Sequence, residues 1–297
     1  MTERPDLFEL TTLAQRRDRA VRSGFADFLC REVAGLVAER LAEVKREFNR
    51  VLLVGTGAGA MSEALPPGAA VTAFEPSPAM AEAEGAGVME SETLPLSEGA
   101  NDLAISVLLL HHLNDPVGHL IQLRRALRPD GLMLAALFGG RTLHELRASL
   151  AEAEAEIEGG LSPRVAPMGE IRDLGALLQR AGFAMPVADA ERLEVTYADP
   201  LALMRDLRAM GETNILAARR RVPMRRATLS RACEIYADHF SAPDGRIRAT
   251  FEIVFLTGWS PGPDQPQPLR PGSATRRLAD ALGAREISAG EKAGKRR

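Results

Sequence analysis

Apolar positions in the first half of the chain form short runs that are spaced as buried strands would be. The runs cover residues 51–54, 70–75, 102–110 and 132–138. Continuous apolar runs of this length are typical of parallel strands that are buried on both faces. Segments with helical spacing and polar turns separate them. This alternation predicts an α/β fold with a doubly wound parallel sheet, whose ligand crevice lies at the carboxyl ends of the strands.

Helix signals divide the sheet and continue after it. Ser77-Pro78, Asp115-Pro116 and Asp199-Pro200 each place proline directly after a residue that caps helix N-termini well. Thr142 and Glu145 have the spacing of a capping box, which predicts that a helix begins there. Capped segments of this kind predict a mainly helical insertion between the fifth strand and the last one.

The remaining pattern sets the predicted boundaries. A charged stretch with four arginines precedes an amphipathic helix over Phe25–Val44, two strand pieces fall at 183–187 and 193–197, and Ile247–Trp259 is a long last strand. We therefore divide the chain into a helical arm over 1–45, a sheet core over 46–138, the helical insertion over 139–240, the last strand over 241–259, and a largely disordered tail over 260–297.

A glycine-rich turn follows the first predicted strand. Gly55, Gly57 and Gly59 permit positive φ angles and the close approach of a ligand, and the next helix begins there with unpaired N–H groups. Glu75 ends the second apolar run, where a carboxylate can accept hydrogen bonds from two ribose hydroxyls. The pattern fits a dinucleotide and S-adenosylmethionine equally well. A tight turn without any ligand is a third interpretation.

Composition narrows the classes of function. The 297 residues carry a formal net charge of −3, which argues against a general nucleic-acid binder. Cys30 and Cys233 are far apart, and no group of histidines and acids has the spacing of a metal site, so we predict structural thiols and no metal. No apolar stretch has the length of a membrane span, and residues 1–10 lack the apolar core of a signal peptide. We expect a cytoplasmic protein.

Four motifs between Val51 and Phe138 carry a family resemblance. They are the glycine turn, Glu75, Glu90 shortly before Leu-Pro, and an Arg-x-Leu-x-Pro-x-Gly turn over 125–131. In this order they resemble the class I S-adenosylmethionine-dependent methyltransferases, which have a Rossmann-like sheet. The resemblance implies S-adenosylmethionine as the cofactor, held by Gly55, Thr56, Gly57, Gly59, Glu75, Glu90 and Leu110. The chain has Leu53 where that family commonly carries an acid.

The rest of the chain is similar to a smaller family. Segments 138–147, 203–214 and 272–275 look like those of the methyltransferase-like assembly factors of respiratory complex I, and the similarity runs from about Leu7 to Gly283. Members of that family are implicated in hydroxylating an arginine of a complex I subunit. The resemblance therefore implies modification of an arginine side chain, with a complex I subunit or assembly intermediate as the partner. The malonyl-carrier-protein methyltransferases of biotin synthesis are similar over a smaller part.

Several side chains are candidates for chemistry. His112, at the end of the fourth strand, is either a catalytic base or a polar residue at the crevice rim. The predicted substrate contacts are Arg141, Glu145, Met210 and Asn214. The basic stretch over 219–226 either docks an acidic partner or is a solvated face. Two other functions stay open: O-methylation of a small or carrier-protein-bound carboxylic acid, and a non-catalytic assembly role.

Overall fold

The computed structural model describes residues 5–65 and 67–263, together with positions 265, 280 and 283. The chain divides into two units, residues 1–262 and 263–297, and the predicted tail lies almost entirely outside the described residues. The helices are α1 Leu10–Ser23, α2 Phe28–Ala42, α3 Ala58–Ala64, α4 Pro78–Glu84, α5 Pro116–Ala126, α6 His144–Glu158, α7 Ile171–Arg180, α8 Pro200–Ala209 and α9 Arg226–Phe240. The strands are β1 Arg50–Gly55, β2 Ala70–Glu75, β3 Gly87–Val88, β4 Asn101–Val107, β5 Leu127–Phe138, β6 Ala184–Tyr197 and β7 Ile247–Trp259.

These strands form one mixed sheet in the order β3-β2-β1-β4-β5-β7-β6. β1 pairs in parallel with β2 on one side and with β4 on the other, and β4 pairs in parallel with β5. β7 runs antiparallel between β5 and β6. The strand order reverses between β1 and β4, so the ligand crevice of such a sheet lies at their carboxyl ends. The predicted doubly wound, Rossmann-like fold is confirmed.

Apolar side chains fill both faces of the sheet, because successive residues of a strand point to opposite sides. Leu53 and Ile105 pack into a cluster with α2, α6, α8 and α9. Leu52 and Ala104 pack into a second cluster with α1, α5 and α7. Leu53 is 2% exposed, so the position where the family that the sequence resembles commonly carries an acid is part of the core here.

The insertion predicted over 139–240 contains a sheet strand as well as helices. β6 has 14 residues and pairs with β7 from Ala184 to Tyr197, with one register shift before Val187. The prediction of two separate strand pieces was therefore wrong. β6 lies at the sheet edge, and most of its side chains are partly or fully exposed. The middle of the strand therefore has no alternation of apolar and polar residues that would predict it. Hydrogen bonding to β7 keeps this middle part extended.

A helix begins within two residues of each of the four predicted starts, and three of the four predicted caps are confirmed. The side chains of Ser77, Asp115 and Asp199 accept hydrogen bonds from the backbone three residues later. The capping box is wrong, since α6 follows Leu143, which has a φ of 52°. The Thr142 hydroxyl instead donates to the carbonyl of Glu252 at 3.1 Å.

Within the described part of the chain, no helix has both the length and the apolar character needed to cross a membrane.

Candidate active site

The glycine turn joins β1 to α3, and its glycines serve different purposes. Gly55 has a φ of 109°, and a Cβ there would lie 2.1 Å from the carbonyl oxygen of Val107. Gly57 has a φ of 91°, and a Cβ there would lie 3.0 Å from the Cβ of Cys30 on α2. A Cβ on Gly59 would meet nothing within 4 Å. Packing against β4 and α2 therefore requires Gly55 and Gly57, while Gly59 faces open space.

Glu75 ends β2 with a fully buried carboxylate. It accepts two hydrogen bonds from Nη1 of Arg17, at 3.1 and 3.0 Å. It also accepts from the Thr56 hydroxyl at 3.3 Å and from the backbone N–H of Ser77 at 3.0 Å. Arg17, which comes from α1, donates from Nη2 to the carbonyl of Leu108 at 2.9 Å. The acid predicted to hold a ribose thus binds groups of its own chain.

The start of α3 is engaged in the same way. Glu84, the last residue of α4, accepts the backbone N–H groups of Gly57 at 3.1 Å and Ala58 at 3.2 Å. Burial raises the pKa of Glu84, and these two hydrogen bonds lower it in part. A carboxylate is favourable at the positive end of a helix dipole. The place that the sequence assigns to an anionic part of a ligand therefore holds an internal carboxylate.

A second group of buried polar side chains adjoins Arg17. Oε1 of Glu212 lies 3.3 Å from Nη2 of Arg17, and its Oε2 lies 3.3 Å from Nε2 of His112 and 3.8 Å from Nε2 of His111. Burial lowers the pKa of His111 and lowers that of His112 well below its ordinary value, so both rings are neutral near pH 7. Burial alone would raise the pKa of Glu212, but His112, His111 and Arg17 lower it to about 2. An ionised carboxylate thus lies beside two neutral imidazoles.

The sequence predicted no metal site, yet His111, His112 and Glu212 each offer a ligand atom, and these atoms lie within 4.8 Å of one another. That spacing alone would suit a transition metal. However, Nδ1 of His111 accepts the backbone N–H of Phe138 at 3.4 Å, so the neutral ring carries its proton on Nε2, facing Glu212. The nitrogen that faces the cluster then has no lone pair for a metal. We therefore interpret the three residues, together with Arg17, as an electrostatic network around the Glu212 carboxylate.

A cavity of about 810 Å³ adjoins this network. His112, Glu212 and Asn214 line it, along with apolar side chains that include Phe138 and Phe251. The glycine turn and Glu75 are not among its lining residues. Arg17 separates the two regions, because its guanidinium contacts Glu75 on one side and Glu212 on the other.

Other predicted site residues lie elsewhere. Glu90 is exposed beyond β3, while Leu110 is buried next to the two histidines. Arg141 is exposed, and its backbone N–H donates to Glu252 at 3.1 Å. Glu145 is buried and accepts the backbone N–H of Thr250 at 3.3 Å, which anchors α6 to β7. Met210 is 3% exposed and belongs to the core. Of the predicted catalytic and substrate residues, the cavity brings together His112 and Asn214.

Sequence reasoning missed Arg17 and Glu84 as parts of the site. Arg17 falls in a helical row with the buried residues Leu13 and Ala20, and an arginine in an apolar row was the available signal. Glu84 ends an acidic short helix, and nothing in its local sequence predicts that it reaches the start of α3.

Comparison with known proteins shows the family of the chain. The family described as Methyltransferase domain matches residues 52–135. Over 263 residues the chain is 37% identical to the arginine-hydroxylase NDUFAF5, mitochondrial, of Danio rerio, a match that covers 86% of this chain and 82% of that protein. The chain belongs to the NDUFAF5 family of the class I methyltransferase superfamily.

Two further matches place this NDUFAF5-family protein more broadly. It is 37% identical over 257 residues to the malonyl-[acyl-carrier protein] O-methyltransferase of Laribacter hongkongensis, covering 80% of this chain and 84% of that enzyme. The YcgJ protein of Bacillus subtilis has the same fold, with a TM-score of 0.52 at 16% identity, covering 77% of this chain and 97% of that one. By name the family and its relatives are hydroxylases and methyltransferases, so the chain belongs to a family of enzymes.

The groups expected to hold S-adenosylmethionine are of the right chemical kind. Glu75 provides a carboxylate for ribose hydroxyls, and Gly57 and Ala58 provide backbone N–H groups for a carboxylate. In this arrangement, however, Arg17 and Glu84 already bind them. The site fits the cofactor only after those two side chains have moved.

Proposed function

We propose that this protein is an S-adenosylmethionine-binding enzyme that modifies an arginine side chain of a respiratory complex I subunit while that complex is assembled. The observation that carries the proposal is the 37% identity to the Danio rerio arginine-hydroxylase over 82% of that protein. The proposal places the protein in the cytoplasm, attached to the inner membrane through its partner. It includes no nucleic-acid partner.

The contacts of Arg17 support an arginine as the target. Its guanidinium is fully buried between the carboxylates of Glu75 and Glu212 and also donates to a backbone carbonyl. The ends of β2 and β4 therefore offer the acceptors that a guanidinium needs. The cavity that meets Glu212 and His112 gives a target side chain access to the same carboxylate from the other side.

The proposed cofactor site uses the groups that Arg17 and Glu84 now engage. Glu75 would hold the ribose, and the N–H groups of Gly57 and Ala58 would hold the carboxylate of the methionine part. When bound, S-adenosylmethionine supplies an electrophilic methyl group on a positively charged sulfur. Within the chain, Thr56 orients the Glu75 carboxylate through its hydroxyl, at 3.3 Å.

Deletion of the gene in its host tests the proposal. We expect less assembled complex I, and mass spectrometry of the purified complex should show one arginine that lacks its modification. The mass of the missing group distinguishes an added oxygen atom from an added methyl group. Fully assembled complex I with an unchanged set of modifications would contradict the proposal.

A Glu75→Gln variant shows whether the protein acts as an enzyme or as a non-catalytic assembly protein. The substitution keeps the volume of the side chain but removes its charge, and circular dichroism should confirm that the variant folds. Rescue of complex I without the arginine modification would mean a scaffold role. Failure to rescue, with the folded variant present at normal amounts, would mean that cofactor-dependent work is needed.

The second candidate function is O-methylation of a small or carrier-protein-bound carboxylic acid. The identity to the Laribacter hongkongensis enzyme, which covers 84% of its length, favours it. This candidate predicts that the deletion strain requires biotin while its complex I stays normal. The two candidates therefore give opposite results in one strain.

A further inference from the structure

Seven arginines line the described part of the cavity beside His112. This is an unusual concentration of positive charge. Glu212 is the one acidic residue among the described lining residues, and its carboxylate already binds Arg17. The electrostatics of the cavity therefore depend on which arginines find acidic partners outside it.

Four of the seven form ion pairs with acidic residues that do not line the cavity. Arg164 lies 2.7 Å from Glu154, and Arg219 and Arg221 each lie 2.7 Å from Glu9. Arg220 pairs with Glu158. The sequence predicts that the basic stretch over 219–226 either docks an acidic partner or is a solvated face. Three of its arginines pair with acids of the chain, and the side chain of Arg221 is still 70% exposed.

Three arginines remain without acidic partners in the part of the chain that the structure describes. Arg16 and Arg19 lie on α1 and Arg208 lies on α8, and no ion pair among the described residues includes any of them. Nε of Arg16 and both Nε and Nη2 of Arg19 are buried atoms that have no hydrogen-bond partner in the described structure. Native proteins satisfy most buried polar groups, so unsatisfied guanidinium donors on residues that line a cavity point to a ligand there.

The three charges also act on one another. Burial lowers the pKa of Arg19, and the charges of Arg208 and Arg16 lower it further. Burial likewise lowers the pKa of Arg16, followed by the charges of Arg219 and Arg208. Guanidinium groups stay protonated under ordinary conditions, so the repulsion persists until an anion relieves it.

We propose that Arg16, Arg19 and Arg208 form a binding site for an oxyanion group, a carboxylate or a phosphate, on the molecule that enters the cavity. Guanidinium groups bind both of these anions through paired hydrogen bonds. The lining of the cavity also includes Leu146, Leu150 and Met204, so the ligand also has an apolar part that packs there. The site does not depend on the proposed cofactor or on the identity of the modified residue.

Binding of simple amphipathic anions tests the site directly. Octanoate and octyl phosphate are the probes, octanamide is the uncharged match, and isothermal titration at constant ionic strength is the measurement. We expect both anions to bind at least about tenfold more tightly than octanamide, on the scale of charge-assisted hydrogen bonds. The anion that binds with the higher affinity indicates whether the natural group is a carboxylate or a phosphate.

Charge-removing variants locate the binding. Arg19→Gln and Arg208→Gln should each weaken anion binding by about tenfold and leave octanamide binding unchanged. Arg205→Gln is the matched control, because Arg205 is exposed on the same helix as Arg208 and does not line the cavity. Equal affinity of wild type for octanamide and the anions would overturn the proposal, as would anion binding that both variants retain. Neither cofactor nor partner is present, so the result is independent of the proposed function.

Discussion

At the scale of single residues, the fully buried Arg17 is the most consequential side chain. Burial would lower its pKa, but the carboxylates of Glu75 and Glu212 raise it, so the side chain stays charged. A buried ion pair gains little over an apolar replacement, whereas loss of one partner leaves an uncompensated charge. Arg17 therefore acts as the counter-ion of two buried acids that would otherwise repel each other.

We expect Arg17→Met to destabilise the protein by roughly 3–5 kcal/mol, because Glu75 and Glu212 would stay buried without their cation. Urea unfolding at pH 7 measures the change. Arg22→Met, at an exposed position of the same helix, is the control and should cost less than about 0.5 kcal/mol. Replacement of Glu75 by glutamine in the Arg17→Met background should recover part of the loss. Equal stability of the two single variants would contradict this account.

His119 makes stability depend on pH. Burial lowers its pKa from 6.5 to about 4, and its Nε2 lies 3.2 Å from the Ser106 hydroxyl. Between pH 6.5 and pH 4, His119 is protonated in the unfolded chain but stays neutral in the folded chain. The free energy of unfolding therefore falls as the pH drops from 6.5 towards 4. Replacement of His119 should reduce this acid-dependent loss of stability by up to roughly 3 kcal/mol.

His119→Asn is the variant for this test, with urea unfolding measured at several pH values between 4.5 and 7.5. The slope of stability against pH is compared, since the substitution also changes packing at all pH values. His239→Asn, at an exposed position, is the control and should keep the wild-type slope. An unchanged slope in His119→Asn would show that other groups cause the acid loss.

At the scale of elements, the glycines of the turn between β1 and α3 have different roles. Gly55 is required by packing against β4, whereas Gly59 faces open space. A Cβ on residue 55 would collide with Val107, so Gly55→Ala should destabilise by roughly 3 kcal/mol or more. Gly59→Ala should instead stabilise by up to about 1 kcal/mol, because residue 59 is helical and unobstructed. Thermal unfolding of the two variants gives the comparison. A similar change in both would mean that the turn is not held as described.

The same turn shows how far sequence reasoning reaches. The order of β1, α3, β2 and Glu75 follows from local apolar runs, and the structure confirms it. β6 could not be recognised along its full length, because an edge strand with exposed side chains has no apolar period of its own. The network of Arg17 and Glu212 was equally out of reach, since 195 positions separate the two residues and the packing of α1 on α8 brings them together.

At the scale of the whole molecule, the chain supplies its own substitutes for a ligand. Arg17 binds Glu75, the acid of the predicted cofactor site. Glu84 binds the backbone N–H groups at the start of α3, which also belong to that site. Both come from helices, α1 and α4, that pack against each other. A cofactor must therefore compete with internal contacts, and its apparent affinity falls by the fraction of molecules in which those contacts are open.

Glu84→Ala tests this competition, because it frees the N–H groups of Gly57 and Ala58 without touching the groups proposed to hold the cofactor. The lost internal contact is a pair of charge-assisted hydrogen bonds, so binding of S-adenosylhomocysteine should strengthen by about tenfold. Glu82→Ala, at an exposed position of the same helix, should leave the affinity unchanged. Titration calorimetry supplies the affinities, and hydrogen exchange should show that α1 and α4 lose protection when the ligand binds to wild type. Weaker binding by Glu84→Ala would mean that Glu84 holds the ligand rather than competing with it.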